Sequence, residues 1–175
     1  EECEETYDLI WIDISNPRVG GPAKRLFTRD FYEVVRSRLA PGGLLALQAD
    51  TANLLSLETF PRIVRTLEQV FENVHPYVTY VPSFCTLWGF VLCGDLQDPA
   101  LLPQRGPHPA AARLRIEPQE IDRRIVDRIV GEPIHYDGQA HCRMFMLPKT
   151  LRENIDRKDL PISTDEDPIQ ELFPG

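Results

Sequence analysis

The chain predicts an α/β fold, a doubly wound sheet whose last two strands form an antiparallel pair. Apolar runs of strand length alternate with segments of helical periodicity, each run is bounded by turn-forming residues, and the final two strand candidates follow one another with only a short loop between them. Tyr7 to Asp13 is an apolar run that ends in an acid and is followed by Ser, Asn, Pro and Gly. It reads as a buried parallel strand with Asp13 at its carboxyl end, the rim where ligands bind in open α/β sheets. Thr28 or Asp30 can cap a helix with Phe31, Val34, Val35 and Leu39 at helical spacing, and Pro41-Gly42-Gly43 stops it. Leu44 to Gln48 is the next buried strand. Leu57 to Phe71 is a second helix with Phe60, Ile63, Val64, Leu67, Val70 and Phe71 on one face. His75 to Val81 and Leu87 to Cys93 are the closing strands, around a loop at Pro82-Ser83-Phe84.

Beyond this βαβαββ unit the composition shifts. Residues 98–118 are proline-dense and read as a connection, and Glu117 to Ile129 as a short helix with a charged, solvated face. Ile134 to Leu147 reads as a β-type segment around an Asp137-Gly138 turn, and Lys149 to Arg157 as a terminal helix. The acidic tail after Asp159 is expected to be loosely held unless it docks. The domain organisation is therefore residues 1–97 as one half of an α/β catalytic domain, 98–118 as the connection, 119–158 as a helix/β/helix extension and 159–175 as the tail.

Composition narrows the function classes. At 175 residues, 42% hydrophobic and 26% charged, the chain can bury a real core. Its net charge of -8, with no basic stripe interleaved with aromatics, argues against nucleic acid and suits a cationic ligand. No apolar run is long enough to span a membrane, and the opening Glu1-Glu2-Cys3-Glu4-Glu5 is the opposite of a basic signal sequence. Cys3, Cys85, Cys93 and Cys142 have no zinc-like spacing, which predicts no metal and a reducing, cytoplasmic setting, with Cys93 a small buried hydrophobe. His75, His108, His135 and His141 form no recognisable triad pattern.

The stretch from Asp13 through Asn16-Pro17 and Gly21-Pro22-Ala23 to Leu26-Phe27 resembles the signature of the polyamine aminopropyltransferases, the spermidine and spermine or thermospermine synthases. The resemblance continues through Leu39-Ala40-Pro41-Gly42-Gly43, Gln48, Val81-Pro82-Ser83-Phe84, Trp88-Gly89-Phe90 and Tyr136-Asp137-Gly138. Gly20-Gly21-Pro22, the Ser83 to Trp88 stretch and Ser163 to Pro168 look most like thermospermine-type and thermophile-type members. It implies the second half of a class I methyltransferase-like (Rossmann-like) sheet. The family's β-hairpin domain and Gly-rich loop are absent, so the sequence is expected to be a C-terminal part. By itself it should bind nucleoside poorly and leave one side of its first strand uncovered.

The resemblance further implies transfer of an aminopropyl group from decarboxylated S-adenosylmethionine, a co-substrate, to putrescine, spermidine or agmatine, with no cofactor and no metal. By that resemblance Asp13 is the catalytic acid–base group, Gln48 bonds the attacking amine, and Phe84 lines the acceptor tunnel. Pro22, Ala23 and Leu26 pack on the nucleoside. Asn16 departs from the family, where most relatives carry a second acid, and Asp50 is the nearest acid in sequence for the distal charge. Partners are then the polyamine and the nucleoside sulfonium, with a homodimer or homotetramer expected for the full-length protein. A class I S-adenosylmethionine methyltransferase and a non-catalytic relative are the alternatives. The Asp13 to Ala23 element argues against the first, while Asn16 allows the second.

Overall fold

A computed structural model describes residues 5–17, 19–53, 58–94 and 117–170. Cys3, Arg18, Leu57, His108 and nearly all of the 98–118 connection lie outside the described residues. The order is β1 (Tyr7–Ile12), a 3₁₀ turn (Pro22–Phe27), α1 (Arg29–Ser37), β2 (Leu39–Thr51), α2 (Thr59–Leu67), β3 (Val74–Val81), a 3₁₀ turn (Pro82–Phe84), β4 (Thr86–Gly94), α3 (Pro118–Arg128), α4 (Gly138–Phe145) and α5 (Lys149–Ile155).

The four strands form one sheet in the order β1-β2-β4-β3. β1 runs parallel to β2, while β4 is antiparallel to both β2 and β3. β3 is consequently parallel to β2, and the carboxyl ends of β1, β2 and β3 share one rim. The final strand inserts between β2 and β3, as a short β3–β4 connection permits. Because β4 is central, it reads as a nearly continuous apolar run, Leu87-Trp88-Gly89-Phe90-Val91-Leu92-Cys93.

One face of the sheet carries the main core. Phe27, Tyr32, Leu45, Phe60, Ile63, Val64, Leu67 and Val91 are each wholly shielded, and Leu151 and Ile155 of α5 join the same cluster. On the other face Tyr77 stacks on Phe90 at 5.3 Å between ring centres, and Phe145 of α4 tilts onto Tyr77 at 5.2 Å. Burial pushes the Cys93 thiol well above its ordinary range and likewise the Tyr32 phenol, so both behave as core groups.

Several expectations are corrected. Ile134 to Leu147 is not β: Asp137 caps a helix by accepting from the Ala140 N–H at 2.7 Å, and the residues α4 buries, Gly138, His141, Cys142 and Phe145, recur at helical spacing. An Asp-Gly pair is as good a helix start as a hairpin turn, and tertiary packing decided between them. The Gly138 N–H donates to Asp122 Oδ1 at 2.6 Å, and a Cβ at Gly138 would run into the Pro118 carbonyl, so only glycine lets α4 meet α3 this closely. The 119–158 extension is therefore three helices. α1 ends at Ser37, not Leu39, and Pro41-Gly42-Gly43 does not stop it but bulges within β2, where the β1–β2 register shifts and Gly42 has φ +78°. α2 closes at Leu67, leaving Val70 and Phe71 buried in the turn beyond it.

β1 pairs as expected but is not buried: Leu9 is 55% and Trp11 73% exposed, and only Ile12 is inside. The tail is docked. Leu160, Ser163 and Ile169 are buried, Arg29 N–H donates to the Ser163 carbonyl at 2.8 Å, and Ser163 N–H donates to Thr66 Oγ1 at 2.9 Å.

Candidate active site

The rim is built where β1 and β2 end. Asp13 follows β1 and is exposed, and the next residues, Ile14 and Asn16, are half-buried in the loop that runs to Pro17. On the neighbouring strand Gln48 is 8% exposed and Asp50 is wholly buried. Asp50 has φ +74°, a left-handed conformation that Asp tolerates better than most residues but at a cost of roughly 1 kcal/mol.

Three of these side chains close a circuit. Gln48 Nε2 donates to Asn16 Oδ1 at 3.1 Å, Asn16 Nδ2 donates to Asp50 Oδ1 at 2.9 Å, and the Asp50 N–H donates back to Gln48 Oε1 at 2.7 Å. Two backbone groups tie into it: Gln48 Nε2 also donates to the Ile14 carbonyl at 3.2 Å, and the Thr51 N–H donates to Asp50 Oδ1. Asn16 and Gln48 thus meet although they are 32 residues apart. Their oxygens, together with the exposed Asp13 carboxylate, make the rim rich in hydrogen-bond acceptors, the complement of an ammonium group.

The Pro82–Phe84 turn comes to the same rim from β3. Phe84 is 54% exposed and its ring packs on Trp88 at 4.3 Å, while Trp88 pairs with Thr51 across β2 and β4. The Trp88 indole N–H is buried with no hydrogen-bond partner among the described residues. These two rings give the rim an apolar wall.

Of the three residues expected against the nucleoside, Pro22 is exposed, Leu26 half-buried and Ala23 inside the main core, all on the Pro22–Phe27 turn. A feature that reading the sequence missed holds this turn in place. Thr28, which ends the turn and caps α1 by accepting from Phe31 N–H, donates through Oγ1 to Asp165 Oδ1 at 2.7 Å. Asp30 is not the cap; its carboxylate accepts the Asp165 N–H at 3.0 Å. No local signal joins residues 137 apart, so only the docked tail reveals the strap. The circuit's use of the Ile14 carbonyl and Thr51 N–H was equally hidden, since backbone groups carry no residue identity. The Tyr136 hydroxyl and His141 Nδ1 lie 2.6 Å apart.

The strap has a pH dependence. The Asp165 N–H, above all other causes, holds the Asp30 carboxyl below its ordinary value of 3.8. A depressed folded pKa means stability that is complete above the ordinary value and lost as pH falls through the folded one. Limited proteolysis is therefore expected to leave the tail intact at pH 6 and to cut it increasingly below about pH 4. Asp30→Asn should abolish that difference, and an unchanged cleavage profile in this variant would reject the assignment.

Among the described residues no helix is long and apolar enough to cross a membrane, and no group of three or more His, Cys, Asp or Glu is placed to hold a metal ion. Residues 1–100 match the spermine/spermidine synthase domain. The chain is 39% identical over 169 residues to polyamine aminopropyltransferase 2 of Hyperthermus butylicus, covering 97% of this chain and 50% of that protein. It is 37% identical over 169 residues to the polyamine aminopropyltransferase of Sulfolobus acidocaldarius, covering 97% and 51%. It is 31% identical over 160 residues to the thermospermine synthase ACAULIS5 of Arabidopsis thaliana, covering 90% and 42%. The chain thus spans about half the length of the curated relatives it matches. Among solved structures it is similar to a spermidine synthase in complex with the transition-state analogue AdoDATO, with TM-score 0.64 and 19% identity over 87% of this chain and 45% of that one. Spermidine synthase from Thermotoga maritima gives TM-score 0.61 and 18% identity over 87% and 44%. At these identities the structures speak for the methyltransferase-like fold.

Proposed function

Because the chain belongs to the spermine/spermidine synthase family, we propose that it carries the acceptor rim of an enzyme transferring an aminopropyl group from decarboxylated S-adenosylmethionine to a polyamine. The observation that carries this reading is the acceptor-rich rim: an exposed carboxylate, Asp13, beside the Gln48–Asn16–Asp50 circuit at the carboxyl ends of neighbouring parallel strands.

The chemistry explains why such a rim is needed. In the transfer, the acceptor nitrogen forms a bond to the aminopropyl carbon while the carbon–sulfur bond breaks, and its electron pair leaves with sulfur as neutral methylthioadenosine. For this the acceptor's ammonium must give up one proton before or as its nitrogen attacks. An alkylamine has a pKa of roughly 10.4, so at neutral pH nearly all of it is protonated and cannot attack. Asp13 is the group proposed to hold the ammonium, align it with the carbon and take its proton. Gln48 and Asn16 offer oxygens to its remaining N–H groups. Charge is neutralised at sulfur rather than created, so the step needs neither an oxyanion hole nor a metal.

Pro22 and Leu26 on their turn are proposed to face the nucleoside, with Ala23 packing the turn from behind. Phe84 and Trp88 support an acceptor with long methylene segments, which bury at about 0.8 kcal/mol per CH₂. The acceptor is accordingly proposed to be longer than putrescine, such as spermidine or agmatine, and the setting to be the cytoplasm, where the thiols of Cys85 and Cys93 would stay reduced. Product analysis of the intact protein given decarboxylated S-adenosylmethionine and each amine tests this reading. Aminopropylated spermidine or agmatine is expected; strong preference for putrescine overturns the acceptor assignment, and no methylthioadenosine with any amine overturns the activity.

A further inference from the structure

We propose that the docked tail is a strap for nucleoside binding: Asp165, bonded to Thr28, positions the Pro22–Phe27 turn, so that tail docking and nucleoside binding strengthen each other. This inference rests on the reading above that Pro22 and Leu26 face the nucleoside. It makes Asp165 a positioning residue, which touches the joint that ends the turn and not the ligand.

Thr28 belongs to three segments at once. It closes the Pro22–Phe27 turn, caps α1 by accepting from Phe31 N–H, and meets the tail through Asp165. It is wholly buried, and its hydroxyl has one hydrogen to give. Two acceptors lie within reach, the Arg25 carbonyl inside the turn at 3.0 Å and Asp165 Oδ1 at 2.7 Å. The carboxylate is the nearer and, being charged, the stronger acceptor. With the tail docked, Asp165 draws the hydroxyl; with the tail released, the Arg25 carbonyl takes it. The joint thus has two arrangements, and the tail selects between them.

The tail has a footing of its own apart from that joint. Ile169 lies in the main core, and its N–H donates to Ser163 Oγ at 2.9 Å. Ser163 N–H donates to Thr66 Oγ1 of α2, while Arg62 of α2 donates through Nε to the Pro161 carbonyl at 3.1 Å and pairs with Asp167 at 3.6 Å. Asp165 is therefore carried by a segment fixed to α2 and reaches across to the turn. The turn benefits from such support, because a 3₁₀ turn is a weak element and no side chain caps its start at Gly21. Thr28 does not need Asp165 for a partner, since the Arg25 carbonyl is at hand. What the bond adds is restraint of the turn. A turn already held in its binding arrangement spares the ligand the cost of ordering it, and apparent affinity scales with the fraction so held. By linkage the nucleoside must then hold the tail by the same factor.

Asp165→Ala in the intact protein should lower calorimetric affinity for methylthioadenosine about fivefold and leave that for spermidine at the parent value. Asp165→Asn keeps Oδ1 as an acceptor and should stay within about twofold of the parent. In prolonged digestion at neutral pH, saturating methylthioadenosine should slow cleavage after the exposed Glu166 about fivefold in the parent, and not in Asp165→Ala. A contact that served stability alone would lower the melting temperature of Asp165→Ala without setting the two ligands apart. Parent-like methylthioadenosine affinity in Asp165→Ala, an equal loss for both ligands, or parent cleavage indifferent to methylthioadenosine overturns the inference. Leu26→Ala separates the two readings: if it weakens methylthioadenosine binding while Asp165→Ala does not, the inference alone fails. If the parent does not bind methylthioadenosine, or Leu26→Ala leaves its affinity unchanged, the nucleoside reading fails, and with it the role of the strap.

Discussion

Asp13→Asn in the intact protein is expected to lower turnover by 10² to 10⁴, roughly 3 to 5 kcal/mol of barrier, the usual range for removing a positioned acid–base group. The amide is nearly isosteric and can still hydrogen-bond the amine, but it cannot accept its proton or neutralise its charge. Methylthioadenosine carries no amine, so its binding should be almost unchanged. Asp13 is exposed just after β1, where no core packing depends on it. The melting temperature should therefore stay within about 2 °C of the parent. If Asp13 served only as a turn residue, Asn would replace it with little loss, and the rate would survive. Initial rate and melting temperature on one preparation separate the two roles, and a near-parent rate removes Asp13 from the mechanism.

Phe60→Ala should have the largest effect on stability, about 3 to 5 kcal/mol. The ring is wholly buried where α2 meets the sheet, and its atoms lie 2.5 to 2.9 Å from where a Cβ on Gly89 would sit. Gly89 is therefore the space into which Phe60 fits, on a central strand next to Trp88 of the rim. Two corollaries follow from that geometry. Gly89→Ala alone overpacks the site and should cost about 1 to 3 kcal/mol. Combining it with Phe60→Leu should cost less than the sum of the two, because the smaller side chain frees the volume that the new methyl needs. Urea unfolding at constant m-value measures all three. Strict additivity would mean that the two residues do not share the space.

Much of this was legible because it is local. The apolar run Tyr7 to Ile12, the helical repeat of Phe60, Ile63, Val64 and Leu67, and the unbroken apolar run of β4 each depend only on neighbours a turn or a pleat away. So does the placing of Asp13 just beyond β1, whereas Gln48, expected to end its strand, lies three residues before β2 ends at Thr51. Where two local signals competed, reading them in isolation failed: Asp137-Gly138 suits a hairpin turn and a helix start alike, and burial of Gly138 against Pro118 favoured the helix. The buried β1 expected from its composition is likewise a property of what lies beside a strand, not of the strand, and here Trp11 faces outward.

The order of elements as far as β4, the antiparallel pairing of the last two strands and the residue types available at the rim were readable along the chain, all being consequences of periodicity and turn chemistry. Which of those residues meet was settled only by packing. Asn16 with Asp50 and Thr28 with Asp165 join positions 34 and 137 residues apart. Such pairs have no periodic trace. A hydrogen bond depends on distances of a few tenths of an ångström, which chain entropy leaves undetermined until packing against the core closes the loops between them.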